Sequence, residues 1–337
     1  MKSHVNIPIF IPHLGCPHTC VFCNQKKISG HEKADLSSVG REIEEALSTV
    51  KPFQEAQIAF FGGSFTGIDR NDMIYLLETA KKYIDAGRVS SVRLSTRPDY
   101  IDGEILDILK RYGVHSIELG LQSMRDHVLK ACERGHDVSC AEHACIMIKE
   151  RGFELIGQMM TGLPASSYED DVYTAKRISE MCDGARIYPT VVFRGTKLCD
   201  MAESGGYDMP NEEELIRRTV GALREFVKAG KPVIRVGLQS SDGVLDENNV
   251  YSRTYMPAMG EICYSRLFFD MMDELIPRGE KNVRIAVSDK SISMAIGQRG
   301  ENREKLIIKH KLDTLKITGD ASLGKYDIKI KETGEEK

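Results

Sequence analysis

Cys16, Cys20 and Cys23 stand in one short run, Leu14-Gly15-Cys16-Pro17-His18-Thr19-Cys20-Val21-Phe22-Cys23, a C-x3-C-x2-C spacing directly after an apolar stretch. Three thiolates on one loop can hold three corners of a four-iron cluster, and such clusters ordinarily take four ligands. The fourth iron is then open to something other than protein. The same residues permit two other readings, a zinc site completed by His13 or His18, or three buried thiols without metal.

Elements able to present such a loop follow from periodicity. Apolar, β-branched segments at Val5–Ile11, Gln57–Phe61, Val92–Thr96, Ser116–Gly120, Glu154–Met159 and Arg186–Val192 read as strands. Amphipathic helices fit between them at Leu36–Val50, Asn71–Ala86, Gly103–Tyr112, Cys140–Arg151 and Tyr168–Met181. This alternation predicts a parallel sheet, and six units suit an α/β partial (β/α)6 barrel with its active site at the carboxyl ends of the strands. The motifs fall at those ends. Phe61-Gly62-Gly63-Ser64-Phe65-Thr66 closes the second strand, where glycines let backbone approach a ligand. Ser95-Thr96-Arg97-Pro98-Asp99 closes the third, and Glu118-Leu119-Gly120-Leu121-Gln122-Ser123 the fourth. Glu118 and Gln122 are suited to the hydroxyls of a nucleoside, with Arg97 and Arg134 as candidates for its charged end.

Composition is that of a soluble globular protein. The chain has 337 residues, 41% hydrophobic and 28% charged, and no apolar run near the ~20 residues of a membrane span. Nine cysteines without an export signal point to a reducing compartment, so the expected location is cytoplasmic, with no membrane partner. Cys132, Cys140, Cys145, Cys182, Cys199 and Cys263 lack C-x2-C pairing and read as structural. From Lys281 onward there are 13 Lys and Arg against 9 Asp and Glu, whereas the rest of the chain has 33 against 41. The tail is the basic part of an acidic protein.

The cysteine spacing is that of the radical S-adenosylmethionine enzymes, and the chain resembles that superfamily. With the words around Gly62, Arg97, Gln122 and Arg134, and with Arg186-Ile187-Tyr188-Pro189, Arg194-Gly195-Thr196, Arg235-Val236-Gly237-Leu238-Gln239-Ser240 and Tyr255-Met256-Pro257-Ala258-Met259-Gly260-Glu261, it resembles the radical domain of the Elongator catalytic subunit and its bacterial relatives over residues 5 to 265. Nothing after Gly260 reads as that subunit's acetyl-CoA domain. A more distant likeness is to oxygen-independent coproporphyrinogen oxidase. The resemblance implies a 4Fe-4S cluster on Cys16, Cys20 and Cys23, with S-adenosylmethionine on the open iron as source of a 5′-deoxyadenosyl radical. It implies a cofactor shell of Phe22, Gly62, Gly63, Ser64, Arg97, Glu118, Gln122 and Arg134. Tyr188, Arg194, Arg235 and Gln239 are then candidates for the substrate side, and an electron donor such as flavodoxin or ferredoxin is required.

The tail reads as strand Val283–Val287, helix Lys290–Ile296, the turn Gly297-Gln298-Arg299-Gly300, helix Glu301–Lys311, and strands Thr314–Thr318 and Tyr326–Ile330. Ser-Met-Ala-Ile-Gly-Gln-Arg-Gly-Glu-Asn-Arg resembles the KH domains of the transcription factor NusA. That likeness implies RNA contact through Gly297, Gln298, Arg299, Gly300 and Arg303. The expected organisation is a barrel over 1–204, an α+β extension closing its mouth over 205–278, a KH-like module over 279–331, and a charged end over 332–337. These readings converge on a radical enzyme acting on a base in RNA, with tRNA foremost. A small-molecule radical enzyme of the coproporphyrinogen oxidase type is the alternative. A third reading is an RNA-binding protein whose cluster is structural.

Overall fold

The structure is a computed structural model that describes residues 3–11, 16, 20–24, 35–51, 54–238, 246, 248–251 and 256–331. Strands and helices alternate as β1 (Ser3–Phe10), α1 (Val39–Thr49), β2 (Gln54–Phe61), α2 (Arg70–Asp85), β3 (Ser91–Thr96), α3 (Gly103–Arg111) and β4 (Val114–Gln122). Then come α4 (Asp126–Ala131), α5 (Val138–Glu150), β5 (Glu154–Thr161), α6 (Tyr168–Met181), β6 (Gly184–Pro189), α7 (Lys197–Glu203), α8 (Glu212–Lys228) and β7 (Val233–Val236). The seven strands are hydrogen-bonded in sequence order and all parallel, in one open curled sheet.

Parallel strands covered by helices are buried on both faces, which is why β2 and β4 are nearly continuous runs of buried residues. Several helices follow the carboxyl end of a strand, and side-chain caps set where five of them start. The side chains of Asp69, Asp102, Asp137, Ser167 and Asn211 accept from backbone N–H groups in the first turns of α2, α3, α5, α6 and α8. Caps of this type contribute about 1 kcal/mol each. They fix where the chain turns back, immediately beyond the motif residues. The sheet holds one strand more than the six expected, because Val233–Val236 pairs with β6. The sixth strand also lies earlier, ending at Pro189.

Beyond β7 the chain forms α9 (Met259–Leu275), β8 (Asn282–Val287), α10 (Ile292–Ile296), α11 (Glu301–His310), β9 (Thr314–Gly319) and β10 (Ile328–Lys331). The small sheet has the order β10-β8-β9, with β8 and β9 parallel and β10 antiparallel to β8. Helix α9 belongs to two cores. Met259, Cys263 and Leu267 pack into the large one, while Phe268, Met272 and Ile276 pack with Ile285, Leu306 and Leu315 of the small one. Buried Asn302 adds a polar tie, its amide nitrogen 2.8 Å from the Ser265 carbonyl on α9 and 3.2 Å from that of Ala295 on α10. No helix among the described residues is long and apolar enough to cross a membrane.

Candidate active site

The site is built at the carboxyl ends of the strands. Cys20 is buried, Cys23 half-buried and Cys16 exposed. Their loop is anchored through Val21, whose N–H donates to the Cys132 carbonyl (3.2 Å) and whose carbonyl accepts from Leu198 N–H (2.8 Å). Val21 also packs with Val128, Leu163 and Leu198 in a small apolar cluster, so the loop is held by the segments that follow β4, β5 and β6. Cys132, read as structural, thus lies beside the cysteine loop, where burial pushes its thiol up to about 12 and keeps it protonated. Among the described residues no group of three or more His, Cys, Asp or Glu side chains is placed to close on a single metal ion. His13 and His18, the suggested zinc ligands, lie outside the described residues.

All three cysteines border one cavity of about 160 Å³, together with Phe22, Gly63, Ser64, Arg97, Gln122 and Arg134. Ser64 is held inward, its hydroxyl 3.1 Å from Thr96 Oγ1 and accepting from Arg97 N–H (3.2 Å). Arg97 is clamped by Asp99, to which Nε and Nη2 donate at 2.9 and 2.8 Å, and its Nη1 lies 3.8 Å from Cys20 Sγ. Arg134 donates from Nη2 to the Gly120 carbonyl at 2.6 Å and from Nη1 to Cys20 Sγ at 3.4 Å. A Cβ on residue 120 would stand 2.7 Å from that guanidinium, so glycine is what admits the arginine. Two buried guanidinium groups thus face the Cys20 sulfur, and hydrogen bonds to ligand sulfurs are a recognised means of tuning iron–sulfur sites.

Two buried polar atoms at this cavity have no hydrogen-bond partner among the described residues: Gln122 Oε1, an acceptor, and Arg134 Nε, a donor. Gln122 also sits at φ 64°, at a register shift between β4 and β5. A left-handed glutamine at a strand end is strained backbone of the kind found at functional sites. An orphan acceptor and an orphan donor suit the ammonium and carboxylate of an amino acid. The chain therefore fits the methionine moiety of S-adenosylmethionine next to the cysteines.

A second cavity of about 390 Å³ adjoins the first and shares Phe22, Cys23, Gly63 and Gln122 with it. Gly62, Glu118, Tyr188 and Arg235 border it, as do Phe10, Phe61 and Phe193. Glu118, assigned to the cofactor shell on sequence grounds, is fully committed within the protein. Its carboxylate accepts from Arg93 (3.0 Å), Arg186 (2.8 Å) and Gln158 (2.8 Å). Arg93, on β3, bridges onward to Glu154 (3.1 Å). Burial pushes the Tyr188 phenol up, with the Arg186 and Arg235 charges opposing. Arg235, opposite Arg186 in strand register, has no hydrogen-bond or ion-pair partner among the described residues. Arg194 borders neither cavity. It is exposed and its guanidinium lies over the Tyr251 ring at 5.4 Å. Gln239 lies outside the described residues.

In the small unit, the turn 297–300 joins α10 to α11, with Arg299 at φ 52° and Gly300 at φ 85°. Gln298, Arg299 and Arg303 are exposed. A Cβ at Gly300 would meet nothing within 4 Å, so that backbone is open to close approach.

Comparison with known proteins agrees with this geometry. An uncharacterized protein of Methanocaldococcus jannaschii is 30% identical over 263 residues, covering 74% of this chain and 79% of its own. The tRNA uridine(34) acetyltransferase of Methanocaldococcus infernus is 29% identical over 243 residues, covering 60% of this chain. This chain spans only 46% of that enzyme. The solved structure of the archaeal Methanocaldococcus infernus Elp3 with an N-terminal deletion shares the fold, with a TM-score of 0.56 at 21% identity over 73% of this chain and 62% of that one. Residues 10–178 match the Radical SAM superfamily and residues 182–268 the Radical_SAM C-terminal domain. The chain belongs to the radical S-adenosylmethionine superfamily, with Elongator-like homologues, and its cofactors are a 4Fe-4S cluster and S-adenosylmethionine.

Proposed function

We propose that this chain modifies a base in RNA, with tRNA as the substrate class. The observation that carries the reading is the larger cavity. Its aromatic walls suit a flat ring, and Arg235, its one cation without a partner among the described residues, suits the phosphate beside that ring. The tRNA-directed activity named for the relative that matches residues of the barrel supports the same substrate class.

When bound, the two cofactors supply hydrogen abstraction from an inert C–H bond, driven by one-electron reduction of a sulfonium. Cys16, Cys20 and Cys23 hold the iron. Gly62 and Gly63 let backbone approach the nucleoside, while Gln122 and Arg134 fix its amino-acid end. Phe22, between two iron ligands, borders both cavities and separates the two ligands' sites. Phe10, Phe61 and Phe193 keep water from the reacting carbon. Tyr188 and Arg235 orient the substrate. Arg299 and Arg303 hold RNA outside the barrel, with Gly300 admitting its backbone.

The test is 5′-deoxyadenosine formation by anaerobically reconstituted protein with reductant, with and without unmodified tRNA. Turnover raised well above the uncoupled background by tRNA supports the proposal, and digestion of that RNA then gives the altered nucleoside. Turnover indifferent to tRNA but raised by porphyrinogen would sink it. Cys20→Ala is the control and should lose both iron and turnover.

A further inference from the structure

The basic balance of the tail has a definite location. In the small sheet, Val283, Ile285, Val287, Leu315 and Ile317 point toward the helices and form the second core. Alternation therefore sends Arg284, Lys316, Lys329 and Lys331 to the other face. Register brings them together. Arg284 on β8 lies opposite Lys331 on β10 and opposite Lys316 on β9, and Lys329 follows two residues before Lys331. Lys316, Lys329 and Lys331 are exposed. Lys331 lies 3.6 Å from Asp320, whereas Lys316 and Lys329 have no ion-pair partner among the described residues.

The packing of the small sheet is done by its other face, and the exposed Lys316 and Lys329 take no part in that core. Neighbouring strands are about 4.8 Å apart and alternate residues on a strand roughly 6.8 Å apart, so the ammonium groups form a grid on the scale of a nucleic-acid backbone. We infer that this open sheet face grips the phosphodiester backbone of RNA, separately from the 297–300 turn on the helical side. An acidic membrane is the poorer occupant. Peripheral binding to lipid pairs cations with apolar side chains that enter the bilayer. The other members of this face are Asn282, Ala286, Thr314 and Thr318, none of them long and apolar.

The inference rests on the RNA reading, and the test separates the two. Binding of unmodified tRNA to the full-length protein is measured over a salt series for wild type, Lys316→Glu with Lys329→Glu, Lys316→Arg with Lys329→Arg, and Arg299→Glu with Arg303→Glu. Thermal melting of each confirms the fold. Loss of two phosphate contacts should flatten the slope of log affinity against log salt by about 2, with at least about a tenfold loss of affinity near 0.1 M salt. The arginine pair should retain both. Wild-type binding left unchanged by the Lys→Glu pair overturns this inference alone. Wild-type protein without affinity for tRNA removes the RNA reading with it. Phosphatidylserine vesicles are the second probe, and binding to them that is lost in the Lys→Glu pair while tRNA affinity is unchanged also overturns it.

Discussion

The two sheets treat charge in opposite ways. In the large sheet, Glu118 is fully buried and meets Arg93 and Arg186, so the charges at the floor of the cavity neutralise one another. In the small sheet, Lys316, Lys329 and Lys331 stand exposed on one face. The first arrangement shapes a cavity at the cost of desolvation, which only complete pairing offsets. The second leaves charge available at the surface. A buried network is thus part of the scaffold of a site, whereas an exposed like-charge cluster is a surface awaiting something of opposite sign.

That contrast can be broken most directly at Glu118. Glu118→Ala leaves Arg93 and Arg186 buried without their shared counter-charge and should cost about 3–5 kcal/mol, read as a large fall in denaturation midpoint. A loss below ~1 kcal/mol would mean that water already reaches the network. Asn302→Ala removes the amide that ties α11 to Ser265 and leaves buried carbonyls short of a donor. We expect about 1–3 kcal/mol, measured in the same way, with one unchanged cooperative transition.

His136 supplies a pH test on the barrel side. Burial and the nearby Arg134 push its pKa down to about 4 from 6.5. The unfolded chain therefore binds the proton first. The stability linked to His136 is complete above pH 6.5 and is lost as pH falls toward 4, by roughly 1–3 kcal/mol. His136→Gln should flatten the pH dependence of apo-protein stability over that window, and an unchanged curve would show that the imidazole is hydrated. Lys316→Ala gives the smallest effect. It should fall within about 0.5 kcal/mol of wild type, because an exposed side chain without an ion-pair partner contributes little to stability. A clear destabilisation would mean that the cation has a structural partner and would weaken the contrast.

Much of the architecture was legible because parallel sheets announce themselves through buried apolar runs, and because the chemistry sits at strand ends where glycine and polar residues interrupt those runs. The cysteines, Gly63, Gln122 and Arg134 were found this way, and the structure brings them to one cavity. The charge network was not legible. Arg93, Glu118 and Arg186 are joined across separate strands, and Arg93 in sequence looks like any polar residue in a short strand. Arg194 shows what spacing leaves open, since an arginine next to a glycine can lie over a neighbouring tyrosine ring, as it does over Tyr251. Strand β7 was not assigned to the barrel, because four residues do not reveal their partner. Helix α9 had no counterpart at all. Its apolar residues face two cores, so they trace two stripes where a helical pattern needs one.

That double-faced helix has a mechanical consequence. Cutting the chain near Pro277 would strip Phe268, Met272 and Ile276 of their covering and leave a sticky barrel, so the C-terminal unit is no detachable accessory. The two parts should open together in hydrogen exchange. The first turn of α9 abuts the end of β7, where Gly260 would bring a Cβ within 3.2 Å of the Val236 carbonyl. A load placed on the small sheet is thereby delivered by a rigid lever to the strand that carries Arg235.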